Sequence, residues 1–126
     1  MNWISSGEGL RILKDLIALP SVNPMGRVYE SNEPVERKVL VYIADLFSRY
    51  GVETVRQACS SIHESLLISI PGKAKGPATL FESHVDTVPA DDWLETAFTP
   101  IVKNGLVIGR GACDDKGSLT AMILAI

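Results

Sequence analysis

An apolar run ending in a histidine and an aspartate two residues apart constrains this chain more than any other feature. Residues 81–89 read Phe-Glu-Ser-His-Val-Asp-Thr-Val-Pro. Side chains at i and i+2 of a strand leave the same face, so His84 and Asp86 can share one pocket. The C-terminal ends of strands, where this pair stands, are where α/β sheets usually place their sites. After a connector, residues 109–117 read Gly-Arg-Gly-Ala-Cys-Asp-Asp-Lys-Gly. They bring two more carboxylates, Asp114 and Asp115, on a glycine-flanked loop that opens a helix. A neutral imidazole with carboxylates suits zinc and similar divalent metals.

The length of 126 residues suffices for one small domain with a real core. A hydrophobic content of 46% with 21% charged residues is ordinary for a soluble globular protein. The net charge of −3 gives no reason to expect nucleic acid or an anionic membrane as partner. No apolar run reaches the length of a membrane span. The N-terminus lacks a basic stretch followed by an apolar core, so no signal peptide is expected. Two cysteines, Cys59 and Cys113, make no disulfide framework and point to free thiols in a reducing cytoplasm.

Taken in order, residues 5–19 predict a helix, with Ser5 and Glu8 as a capping box and Leu10, Leu13, Leu16 and Ile17 as its apolar stripe. Pro20 stops it, and residues 21–26 read as turn and loop. A second helix is expected from about Asn32 or Glu33, with Pro34 in its first turn and Gly51 as its stop. Residues 52–57 and 66–70 predict strands, and residues 78–83 a short buried strand that hands over to His84. Asn104-Gly105 between two apolar runs is a strong hairpin signal. Residues 118–126 predict a buried helix with Leu119, Met122, Ile123 and Ile126 on one face, and no closing cap follows it. Helices alternating with strands predict an α/β class with a mixed, mostly parallel sheet flanked by helices.

The pair His-x-Asp-x-Val-Pro and Gly-Arg-Gly-Ala-x-Asp-x-Lys-Gly resembles the first two metal-binding motifs of the M20 metallopeptidase family, and the Leu-Pro-Ser-Val-Asn-Pro stretch after the first helix also resembles it. The resemblance implies that residues 1–126 form the N-terminal portion of a zinc-hydrolase-type catalytic domain, incomplete and without the family's dimerisation domain. It implies that His84 binds one zinc, that Asp114 bridges two, and that Asp86 orients the imidazole as a catalytic positioning group. Cobalt or manganese are alternatives to zinc. It also implies a cis peptide after Asp114, and a Glu-Glu pair and further ligands beyond Ile126. The implied activity is hydrolysis of an amide bond in a small peptide or N-acyl amino acid, with a metal-bound hydroxide attacking the carbonyl. The implied assembly is a homodimer of the complete protein. This chain alone is expected to be inactive.

The other polar residues read more plainly. Asp115 varies in the family and is not expected to be a ligand. Lys116 reads as structural, paired with a carboxylate. Cys113 reads as a buried inert thiol, and His63 as an exposed loop residue without a partner. Asp91 and Asp92 read as solvated acids, and Trp93 and Phe98 as pins for their loop. Arg110 is open between solvent and a neighbouring acid. P-loop, dinucleotide and EF-hand patterns are absent. The rival readings are a truncated or degenerate chain without catalysis, and another dinuclear zinc aminopeptidase family with a similar strand.

Overall fold

The computed structural model describes residues 6–126. Helix α1 (Ser6–Ile17) buries Ile12, Leu16 and Ile17 completely. Ser5 of the expected capping box lies outside the described residues. Leu10, expected in the buried stripe, is exposed. The buried face is turned toward Gly9, whose lack of a side chain admits α4 (Lys116–Ala125). A Cβ there would stand 2.8 Å from Leu124 Cδ1.

Helix α2 (Arg37–Ser48) buries Val39, Leu40, Ile43, Leu46 and Phe47, a stripe at helical spacing that forms much of the core. It begins later than the proline signal predicts. Pro34 opens a turn closed by Arg37 N–H on its carbonyl, and Val35 N–H is drawn away to Ile62 O. Gly51, at φ 71°, ends the helix as expected.

Strands β1 (Thr54–Ala58) and β2 (Glu64–Ile68) form an antiparallel hairpin, with Thr54 opposite Ile68 and Ala58 opposite Glu64. Its turn is organised by Ser60, whose hydroxyl accepts both Ile62 N–H and His63 N–H. Leu66 and Ile68 pack toward the core, while Val55 and Leu67 face out. His63, expected to be unpartnered, sits 2.6 Å from Glu36 Oε1. Glu36 is buried, and its other oxygen accepts Glu64 N–H. Arg37 pairs with Glu64 at 2.5 Å, so the hairpin turn is clamped to the start of α2 by charge.

After a one-turn helix, α3 (Leu94–Ala97), strands β3 (Ile101–Lys103) and β4 (Leu106–Ile108) make a second antiparallel hairpin. Asn104 and Gly105 take φ of 53° and 77°, the left-handed pair that a two-residue hairpin turn demands.

The α/β class holds, but the mostly parallel sheet does not form among the described residues. The sheets are two antiparallel hairpins, and the parallel pairing is a single bridge between Val22 and Thr87. Residues 78–83, expected as a buried strand, are neither strand nor buried, and Leu80 is 80% exposed. No described strand lies alongside to take their backbone hydrogen bonds, and pairing starts only at residues 85–87. No described helix is long and apolar enough to cross a membrane.

Candidate active site

Two segments that are not neighbours in a sheet meet at this site, and both are anchored on residues 16–23. Thr87 N–H donates to Ser21 O and Asn23 N–H donates to Thr87 O, each at 2.8 Å. The buried Ser21 hydroxyl donates to Val85 O at 2.7 Å. These bonds extend the backbone through Val85, which is buried, and turn His84 and Asp86 together toward an open cleft.

The second segment reaches the cleft through tight packing at glycines. Gly109 passes against α1, where a Cβ would lie 2.5 Å from Ile17 Cγ2. The two glycines on either side of Arg110 play different parts. Of this pair Gly111 is left-handed, at φ 83°, and Gly109 serves close approach. The chain then passes through a cis peptide between Asp114 and Asp115, as the family resemblance implies.

Lys116 anchors this loop from below. It is fully buried, and its ammonium donates to Leu16 O and Leu19 O, each at 2.8 Å. The expected carboxylate partner is replaced by carbonyls at the C-terminal end of α1, where the helix dipole also favours a cation. Burial pushes its pKa down to about 8, so the ammonium remains charged at neutral pH.

The result is a cleft of about 200 Å³ lined by Asn23, His84, Asp86, Arg110 and Asp114 among others. His84 Nδ1 lies 3.0 Å from the Asp86 carbonyl oxygen and 3.2 Å from its carboxylate Oδ1. Two acceptors at Nδ1 hold a ring proton there, and Nε2 is the nitrogen turned to Asp114, where a proton or a metal can join it to that carboxylate. Nε2 faces Asp114 Oδ1 at 2.9 Å. Partial burial works against a charged imidazole, but the hydrogen bonds to Asp114 and Asp86 outweigh it and raise the His84 pKa above its ordinary value. The three expected site residues are thus brought together, with Asp86 behind the ring and Asp114 before it. Among the described residues no group of three or more His, Cys, Asp or Glu converges as a metal cage.

Asp115 accepts the Ser83 hydroxyl at 2.6 Å. Hydrogen bonds from Ser118 and Ser83 hold its carboxyl below the usual range. Cys113, expected to be buried, is exposed on the cleft wall, because the loop carries residues 113 and 114 outward together. Arg110 donates to Pro89 O at 3.0 Å and stacks over Trp93 at 5.2 Å, which pins residues 89–93 and leaves neither solvent nor an acid as its principal partner. Asp91 is not simply solvated: Arg27 forks onto it at 2.7 and 3.2 Å, with both side chains largely exposed.

Sequence reasoning treats Ser21 and Asn23 as loop. In the fold Asn23 Nδ2 donates to Asp86 Oδ2 at 2.8 Å. The sequence signal for it was the Leu-Pro-Ser-Val-Asn-Pro resemblance, to which no local chemistry could be attached.

Residues 80–126 match the sequence profile described as Peptidase family M20/M25/M40. The chain is also 54% identical over 54 residues to a succinyl-diaminopimelate desuccinylase of Nitrosococcus oceani. That match covers 40% of this chain and 14% of the length of that relative.

Proposed function

We propose, from the match of residues 80–126 to peptidase family M20/M25/M40, that this chain belongs to that family and forms the N-terminal part of the catalytic domain of a metal-dependent amide hydrolase. The substrate class is an N-acyl amino acid or small peptide, and similarity to a desuccinylase favours an N-succinyl amino acid. The observation that carries this reading is the convergence of His84 Nε2 and Asp114 Oδ1, 2.9 Å apart, from segments 30 residues apart in sequence.

The donor set fits a divalent metal such as zinc, with cobalt or manganese as alternatives: one imidazole lone pair, one carboxylate, and a second carboxylate backing the ring. A metal held there would supply Lewis acidity toward an amide carbonyl and a water molecule. His84 presents Nε2 because Asp86 holds the proton at Nδ1. Asp114, whose side chain is 85% exposed, would hold a metal together with the imidazole and, as the family resemblance implies, would bridge it to a second cation. Lys116 and the residue 109–111 turn hold that carboxylate in place. The remaining ligands and the general base come from parts of the protein outside these 126 residues.

The test is metal content and kcat of His84→Ala, Asp86→Ala and Asp114→Ala in the complete protein, with N-succinyl and N-acetyl amino acids as substrates. Asp114→Ala is expected to do the most harm, since two cations lose their shared ligand. His84→Ala removes one ligand. Asp86→Ala keeps the ligand and lowers affinity or activity about 10–100-fold. An Asp114→Ala enzyme with full metal content and a near-normal rate would refute this assignment.

A further inference from the structure

Beyond the pair that faces the metal, and resting on that reading of His84, we infer that Asn23 is a positioning residue that sets the imidazole through Asp86. Its backbone is fixed first, by the bonds that lay residues 21–23 beside residues 85–87. Its side chain then has one orientation. The amide oxygen accepts Met25 N–H at 2.9 Å, so the NH₂ group must point the other way, where it meets Asp86 Oδ2 at 2.8 Å. Asp86 is thereby held at one oxygen while its other oxygen faces His84 Nδ1 at 3.2 Å.

The geometry of that last contact is why the amide matters. Asp86 and His84 are two residues apart, and an unrestrained carboxylate turns about its own terminal torsion, a broad well. A donor at Oδ2 stops that rotation and aims Oδ1 at the ring. The ring is then held with Nδ1 on Asp86 and Nε2 turned to Asp114. Asn23 also neutralises part of the charge that would otherwise draw Asp86 toward solvent or toward the metal. The relay runs from Met25 N–H through Asn23 and Asp86 to His84.

Two variants separate the donor from the loop that carries it. Asn23→Ala removes the whole amide. Asn23→Asp keeps an oxygen for Met25 N–H and replaces the donor by a second carboxylate against Asp86. In the complete protein, zinc affinity is measured by calorimetry, and the hydrogen bond at His84 Nδ1 by the exchange rate of its N–H in NMR of the metal-free form. Both variants are expected to bind zinc about tenfold more weakly, the size typical of lost partners behind a ligating histidine. Both are expected to exchange the Nδ1–H faster than the parent. Parental affinity and a parental Nδ1–H exchange rate in both variants, while His84→Ala loses zinc, would overturn the role of Asn23 alone. If His84→Ala binds zinc as the parent does, the metal reading itself fails, and the inference with it.

Discussion

Replacing Lys116 with methionine is expected to destabilise the fold by about 2 kcal/mol. Two charge-assisted hydrogen bonds to Leu16 O and Leu19 O are lost, each contributing about 1.5–3 kcal/mol. Against them stands the cost of burying the ammonium. A pKa lowered to about 8 from 10.5 corresponds to roughly 3 kcal/mol at about 1.4 kcal/mol per pH unit. Methionine keeps the aliphatic stem and escapes that cost, but it takes the ammonium donor from both helix-end carbonyls. The Leu16 carbonyl keeps Leu19 N–H as a donor at 3.2 Å, so the loss there is one charge-assisted bond in the buried interior. Leu19 is only partly buried, and water can replace the ammonium at its carbonyl. Urea titration at pH 7 is the assay, with an unchanged slope confirming that only stability moved. The melting temperature should fall by roughly 8 °C at about 4 °C per kcal/mol. Because the folded-state pKa is depressed, the unfolded chain binds more protons between pH 8 and 10.5, and the parent should gain stability across that window while the methionine variant does not. A Lys116→Met protein as stable as the parent at pH 7 would refute the reasoning.

Gly109→Ala is expected to destabilise by about 1–3 kcal/mol, since its Cβ would enter Ile17 Cγ2 at 2.5 Å, and a urea midpoint equal to the parent's would show that α1 gives way freely. The raised pKa of His84 sets two opposite pH trends. Without metal, the imidazolium between Asp114 and Asp86 stabilises the fold below the ordinary histidine value, and that stability is lost as pH rises through the raised value. Zinc binding needs the neutral ring, so affinity should fall as pH drops through the raised value, earlier than for a free imidazole; calorimetry at several pH values between 8 and 5.5 checks it, and a flat affinity would count against His84 as a ligand.

Local chemistry made several features legible in the sequence. Asn104-Gly105 accepts two positive φ angles, which is a property of those two residues, so the hairpin could be read without knowing its surroundings. The apolar stripe of α2 and the Gly51 stop are equally local. His84 and Asp86 lie two residues apart, so their relation is set by a short stretch of backbone. Asp114 required the resemblance, because nothing local says that a loop thirty residues away meets that imidazole.

Only the tertiary structure decided the partners of the remaining polar groups. Lys116 reads as half of an ion pair, yet the groups that hold it are carbonyls 97 and 100 residues earlier. Carbonyls are present at every position, so no residue type marks those two. Asn23 became part of the site because two extended segments lie in parallel, and their register is a long-range property. His63 found Glu36 for the same reason, through the hairpin folding back on α2. Residues 78–83 have the composition of a buried strand but stay exposed, since burial depends on what stands opposite as well as on the segment. The sequence by itself determined which turns, helix faces and ligand types this chain can offer, because those follow from bonded geometry and side-chain chemistry. Which carbonyl, amide or carboxylate each polar group would meet was decided only by the fold, because such pairings depend on distances between segments far apart in the chain.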